Sequence, residues 1–171
     1  MKVFVTASSG VGKSAVIDEL AKRGLTALDA DDRTLNLTRL EVKETGEPVD
    51  WPKGYVDWHY YSWNASEERL TQLLENDETV FLGGLLGNQE ELYHYFDKLI
   101  ALTINPEEHL RRLHSRPKRD VGDDEKNIQR RLDKYGEHMA KFITSGFITV
   151  DNSGPVERTV DEIVRIIHEN K

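Results

Sequence analysis

The chain has 171 residues, no cysteine and a formal charge of −8 at neutral pH. That length suits one domain with a substantial core. The lack of cysteine excludes a disulfide framework and a thiolate metal site, and the acidic balance argues against a surface that coats nucleic acid.

Val3 to Thr6 read as a short buried parallel strand. The turn Ala7-Ser8-Ser9-Gly10-Val11-Gly12 follows, and Lys13 and Ser14 open a helix. This is a phosphate-binding loop of the form G-x-x-x-x-G-K-[ST], with Ala7 where the first Gly normally stands. Gly10 and Gly12 let the backbone turn tightly and approach phosphate oxygens. Successive N–H groups form an anion nest, to which the helix adds its positive end. Ser9, Gly10, Val11, Gly12, Lys13, Ser14 and Ala15 are therefore the candidate nucleotide-phosphate residues. Lys13 can reach the β- and γ-phosphates, and the Ser14 hydroxyl can join a Mg²⁺ shell. The competing reading is a chance GKS in an ordinary strand-turn-helix; the strand before and helix after argue against it.

In the first helix Val16, Ile17, Leu20 and Ala21 keep inward spacing, and Gly24 suits a C-terminal cap. Leu25 to Leu28 form a second strand that ends in Asp29-Ala30-Asp31-Asp32. Carboxylates at the carboxyl end of a strand lie where open α/β sheets bind ligands; a solvated turn with a cap is the alternative. Asn36 to Ser66 is the least regular stretch. It carries Gly46, Pro48, Pro52 and Gly54 together with Trp51, Tyr55, Trp58, Tyr60, Tyr61 and Trp63. Such a segment is either a substrate-binding flap, whose aromatics can stack on a ring, or a hydrophobic plug.

Ser66 caps a helix with Glu67 and Glu68 in its first turn and Leu70, Leu73 and Leu74 inward. Asn76-Asp77 is a turn, and Thr79 to Leu82 a third strand ending in Gly83-Gly84. That pair either lets a ligand approach closely or simply turns the chain. No Asp ends this strand, which leaves any metal-side role to Asp29 or Asp31. Gln89 to Phe96 suit a short helix and Leu99 to Ile104 a fourth strand. Asn105-Pro106-Glu107-Glu108 starts a helix that carries Leu110, Leu113, Arg111, Arg112 and Arg116. Pro117 stops it, and a polar stretch leads to a helix over about 123–141 with Arg130, Arg131 and an apolar set of Ile128, Leu132, Tyr135 and Met139. The basic residues flanking residues 116–127 form either a solvated hairpin or a lid that closes over polyphosphate, for which the planar arginine fork is suited. Phe147 to Val150 make a fifth strand, and a turn over 151–155 leads to a closing helix from Val156 to His168. Strands alternate with helices throughout, so the fold class is α/β with a parallel sheet, one domain over 1–171.

The pattern resembles the P-loop small-molecule and nucleotide kinases: adenylate, cytidylate, dephospho-CoA and shikimate kinases. VFVTASSGVGKSAVIDELAKRG is similar to their opening βα unit, and LIALTINPEEHLRRLHSR to the strand and helix leading into their lid. RDVGDDEKNIQRRLDKY is similar to the lid exit of adenylate kinases, one residue shorter. FITVDNSGPVERTVDEIVRII is similar to their last strand and helix. The resemblance implies a P-loop NTPase three-layer α/β/α fold with a five-stranded parallel sheet of order 2-3-1-4-5, and use of ATP and Mg²⁺. It implies that Arg112 and Arg116 flank the nucleotide, that Arg119 and Arg131 are lid arginines, and that Asn152, Gly154 and Pro155 lie beside the adenine. LDADD resembles the Asp-x-Asp of shikimate kinase, in which the first Asp serves the metal shell and the second holds the acceptor hydroxyl.

The resulting expectation is an ATP-dependent phosphotransferase acting on a small-molecule acceptor. Lys13, Asp31, Arg112 and Arg116 are its candidate catalytic residues, and Ser14 and Asp29 its metal ligands. Asp31, Asp32, Arg33, Gly83, Gly84 and Trp63 form the candidate acceptor site within or beside an insertion over 33–66. A hydroxyl acceptor is preferred, because carboxylates accept a hydrogen bond from a hydroxyl but repel a phosphate. A nucleoside monophosphate kinase and an ATP-binding regulatory module with little transfer activity are the alternatives. The six histidines show no metal-ligand spacing. Met1-Lys2 leads straight into a strand, so no signal peptide is expected. No apolar run approaches the roughly 20 residues of a membrane span. A cytoplasmic monomer or homodimer without nucleic-acid or membrane partners is expected.

Overall fold

The computed structural model describes residues 1–51, 56–75, 78–115 and 125–169. The expected turn at Asn76-Asp77 lies outside these residues, as do Arg116 and Arg119. Eight strands and six α-helices are present among the described residues. In chain order the first elements are β1 (Lys2–Thr6), α1 (Lys13–Lys22) and β2 (Thr26–Asp29). Next come β3 (Thr38–Val42), β4 (Pro48–Val49), β5 (Tyr61–Ala65), α2 (Glu67–Leu74), β6 (Val80–Gly83) and α3 (Gln89–Leu92). The last are β7 (Lys98–Thr103), α4 (Pro106–Ser115), α5 (Glu125–Thr144), β8 (Ile148–Asp151) and α6 (Val156–His168).

Five strands form one parallel sheet of order β2-β6-β1-β7-β8, which is the 2-3-1-4-5 order counted along the parallel strands. β1 lies at its centre, paired with β6 on one side and β7 on the other. Helical connections link its successive strands, and its two faces carry separate cores. Val3 and Val5 point to one face, where Val16, Ile17 and Leu20 of α1 meet Val160, Ile163 and Ile167 of α6. Phe4 points to the other, among Leu70 and Leu74 of α2, Met139 and Phe142 of α5, and Phe147. This strict alternation along β1 is what a strand covered on both faces requires.

The helix caps follow the sequence. Ser66 Oγ accepts from Arg69 N–H at 3.3 Å, and Asn105 Oδ1 accepts from Glu108 N–H at 2.8 Å. Gly24, at φ +81°, closes α1 with its N–H on Ala21 O. The 89–96 stretch is α3 followed by a 3-10 turn over Tyr93–Tyr95 rather than one helix.

The stretch without evident regularity, 36–66, holds a second sheet. It is antiparallel and three-stranded, of order β4-β3-β5, with Leu40 opposite Trp63 and Glu41 opposite Ser62. Prolines and glycines at its turns obscure the alternation of β3 and β5. No helix among the described residues is long and apolar enough to cross a membrane.

Candidate active site

The loop after β1 and the loop after β2 open at the same, carboxyl end of the sheet, because both strands run parallel to β6, which lies between them. Ala30 N–H donates to Gly83 O at 2.8 Å and Gly84 N–H to Val5 O at 3.0 Å, so the strand ends are stitched together. Lys13 Nζ reaches across to Asp29 Oδ1 at 2.7 Å and stands 3.6 Å from Asp31 Oδ2. Ser14 Oγ donates to Asp29 Oδ2 at 3.0 Å. Lys13, Ser14, Asp29 and Asp31 thus form one cluster. Burial alone would push the Asp29 carboxyl up; the hydrogen bond and charge of Lys13, with the Asp31 N–H and Ser14, outweigh it and hold the group below its ordinary range.

The loop is shaped from beneath. Gly10 and Gly12 have φ of +91° and +109°, where L side chains are strained. A Cβ on Gly10 would stand 2.6 Å from Leu113 Cδ2, and one on Gly12 2.7 Å from Asn152 Nδ2. Val11 O accepts from Arg112 Nη1 and from Asn152 Nδ2, each at 2.8 Å. Arg112 is oriented by Glu108 Oε1 at 2.7 Å. Hydrogen bonds from Arg111 and Arg112 hold the Glu108 carboxyl down at about 2. Arg112 Nη2 also points to Gly154 O at 3.5 Å. Asn152 is buried, with Oδ1 accepting from Thr159 Oγ1 at 2.7 Å. Pro155 precedes α6 at its N-cap position. The expected adenine-side and phosphate-side residues Asn152 and Arg112 therefore turn their polar ends to the underside of the loop.

Two histidines that the sequence did not single out complete this support. His109 Nε2 lies 2.9 Å from Ser9 O, and its ring is buried 5.1 Å from that of Tyr135. His138 Nδ1 lies 3.0 Å from Ser8 Oγ. The imidazole of His138 is held below its ordinary value, chiefly by burial, with Lys134 and Lys141 acting in the same direction and Glu137 against it. His109, Arg112 and Leu113 share one face of α4 at i, i+3 and i+4. That spacing was available in the sequence.

On the side of the second sheet, Asp31 meets Trp63: the indole Nε1–H donates to Asp31 Oδ1 at 3.0 Å. Trp63 packs at a right angle to Trp51, with centroids 5.4 Å apart, and Trp51 meets Trp58 at 6.2 Å. Gly83 and Gly84 are tight. A Cβ on Gly83 would lie 2.4 Å from Ile17 Cγ1, and one on Gly84 3.1 Å from Ala30 Cβ. They serve close packing beside Lys13 and Ala30. Asp32 Oδ1 accepts from Thr34 N–H at 2.9 Å and from Thr34 Oγ1, capping the short 3-10 turn over Arg33–Leu35. Arg33 is exposed on that turn. Arg131 lies in the second turn of α5, partly buried. Among β3 and β5, Glu41 is nearly buried and accepts from Arg39 Nε and Asn64 Nδ2 at 2.5 and 2.6 Å.

The groups present fit a polyphosphate and its cation. The loop offers N–H groups, a helix end and Lys13 to the anion. Ser14 Oγ and Asp29 Oδ2 stand side by side as two hard oxygen donors, the small number that Mg²⁺ takes from protein when phosphate and water complete its shell. No group of three or more His, Asp or Glu side chains that could hold a metal ion occurs among the described residues.

Residues 3–133 match the family model AAA_18, an AAA domain. No curated protein matches the chain. The fold is similar to that of a shikimate kinase from Bacteroides thetaiotaomicron, at TM-score 0.62 and 15% identity, covering 98% of both chains. It is also similar to a gluconokinase from Sinorhizobium meliloti 1021, at TM-score 0.54 and 16% identity over 99% of this chain and 94% of that one. A shikimate kinase from Aquifex aeolicus vf5 gives TM-score 0.56 and 18% identity over 99% and 98%. Identities this low speak to the fold.

Proposed function

The chain belongs to the AAA_18 family of AAA domains, and on that premise we propose that it is an ATP-dependent phosphotransferase that acts on a small hydroxyl-bearing acceptor. The observation that carries this reading is the Lys13 ammonium, seated at the phosphate loop 2.7 Å from Asp29 and 3.6 Å from Asp31. One lysine thereby adjoins the proposed phosphate, metal and acceptor positions. Gly10, Gly12 and the N–H groups from Ser9 to Ala15 cradle the phosphates, and Lys13 neutralises charge on the γ-phosphoryl. Ser14 and Asp29 would hold Mg²⁺, which would supply charge neutralisation to the transferring phosphoryl group. Asp31 Oδ2 accepts the acceptor's hydroxyl proton as the hydroxyl oxygen bonds to the γ-phosphorus, the β–γ bridge bond breaks, and ADP departs. Arg112 acts from beneath, through Val11.

A hydroxyl rather than a phosphate acceptor agrees with the charges. Lys13, the cation beside Asp31, is itself paired with Asp29, and Arg33 stands exposed on the turn that follows. A phosphate-bearing acceptor would meet two carboxylates there. The names of the similar structures, shikimate kinase and gluconokinase, agree with a hydroxyl acceptor.

The experiment is Lys13→Ala. Acceptor-dependent ADP formation should fall by about 10²–10³-fold, because positioning and charge are most of phosphoryl-transfer catalysis, while the circular dichroism spectrum is kept. Undiminished turnover would sink the proposed mechanism.

A further inference from the structure

We propose that Trp63 is a positioning residue: its indole N–H fixes the Asp31 carboxylate so that the other oxygen faces the phosphate loop. The inference rests on the reading of Asp31 as the group that takes the acceptor's proton. Asp31 stands on the short loop after β2. Its own N–H is tied to Asp29 Oδ1 at 3.1 Å, which sets the backbone but leaves the side chain free to rotate. That side chain is more than half exposed, so packing alone does not choose its rotamer. Two contacts divide its oxygens: Oδ1 takes the Trp63 N–H at 3.0 Å, and Oδ2 is left toward Lys13 at 3.6 Å. Without the first contact, the carboxylate can swing to the closer ion pair or into solvent.

Trp63 is itself held on both sides. Its carbonyl accepts from Gly87 N–H at 2.8 Å, which ties β5 to the loop after β6. Gly87 allows this approach because it has no side chain; a Cβ there would stand 1.8 Å from Ser62 Oγ. Trp51 braces the ring at 86°. The antiparallel sheet thus delivers one N–H donor to the parallel sheet's Asp31. Order in the insertion is thereby coupled to the geometry of the proposed base.

A packing role and a positioning role give opposite orders for two variants. Trp63→Phe keeps a large ring and loses the donor. Trp63→His loses ring area, but imidazole Nε2 occupies the five-membered-ring position of indole Nε1 and can carry the proton. Both variants are assayed at about pH 8, where imidazole is neutral. The acceptor is whichever of shikimate, gluconate, adenosine, cytidine and glycerol the wild type phosphorylates fastest. Positioning predicts that Trp63→Phe loses about tenfold in kcat, the scale of one hydrogen bond to a charged group. It predicts that KM for ATP stays within about twofold in that variant and that Trp63→His recovers most of the loss. In an Asp31→Ala background the two variants should differ by less than about twofold. If Trp63→Phe is as active as wild type, or more active than Trp63→His, the proposal is overturned, while acceptor turnover by the wild type upholds the functional reading. Wild-type failure on every acceptor overturns both.

Discussion

Asn152→Ala tests whether the phosphate loop is held from below. The Asn152 amide is buried and makes two hydrogen bonds, to Val11 O at 2.8 Å and from Thr159 Oγ1 at 2.7 Å. Each contributes about 0.5–1.5 kcal/mol net. Neither partner is orphaned by the change: Val11 O keeps Arg112 Nη1 at 2.8 Å, and Thr159 Oγ1 keeps Asp151 O at 3.2 Å. The full cost of a buried unpaired group is therefore not incurred, and the sum is about 1–3 kcal/mol. For a chain of this size that lowers the melting temperature by about 3–10 °C. It should appear in urea as a lower midpoint at unchanged slope. Because the Asn152 amide acts on the loop through Val11 O, ATP affinity by calorimetry should fall less than about tenfold. Asn152→Asp should bind ATP more weakly still, since it faces a carbonyl with a carboxylate oxygen where a donor stood. A destabilisation below about 0.5 kcal/mol, the scale of an uninvolved surface site, would refute the reasoning.

Two further outcomes follow from the geometry. The His138 imidazole is held below its ordinary value of 6.5, so the folded state takes up that proton at lower pH than the unfolded chain does. Its contribution to stability is fully present above pH 6.5 and is lost as pH falls through the folded-state value. Lys134, Glu137 and Lys141 face it from α5 and Ser8 from the loop. Melting temperature against pH should therefore drop more steeply below 6.5 for the wild type than for His138→Asn, and parallel curves would contradict this. Gly87→Ala places a Cβ 1.8 Å from Ser62 Oγ and 2.6 Å from Asn64 Oδ1. It should cost about 1–3 kcal/mol in urea unfolding, the range for overpacking, and no loss would show that the two sheets part freely at this point.

Much of this architecture was legible because local chemistry and global fold agree. The Asn105 and Ser66 caps and the span of α6 follow from cap residues and apolar period, and the strand order of the parallel sheet is the one the resemblance to P-loop kinases implies. Lys13 and Ser14 followed from motif spacing, which needs only a strand before and a helix after, and Asp29 from its place at the carboxyl end of a strand. The second sheet did not. Its strands β3 and β5 contain Arg39, Glu41, Ser62 and Asn64, which bond one another along each strand and, from Asn64 to Glu41, between them, so the pattern reads as polar loop. By sequence Asp32 groups with Asp31 in the acceptor site, and only the local turn decides that one caps Thr34 while the other meets Trp63. The resemblance places Arg112 beside the nucleotide; what it does not give is the bond of Arg112 to Val11 O, set by the face of α4 that it shares with His109 and Leu113.

Phosphorus NMR of the protein incubated with ATP, Mg²⁺ and separate panels of nucleosides, nucleoside monophosphates and small hydroxy acids tests the central claim most directly. The account predicts a new phosphate-monoester resonance that grows with ADP for a hydroxyl acceptor and is absent with Lys13→Ala. ADP that appears only with inorganic phosphate, or a new diphosphate from a nucleoside monophosphate, would contradict it.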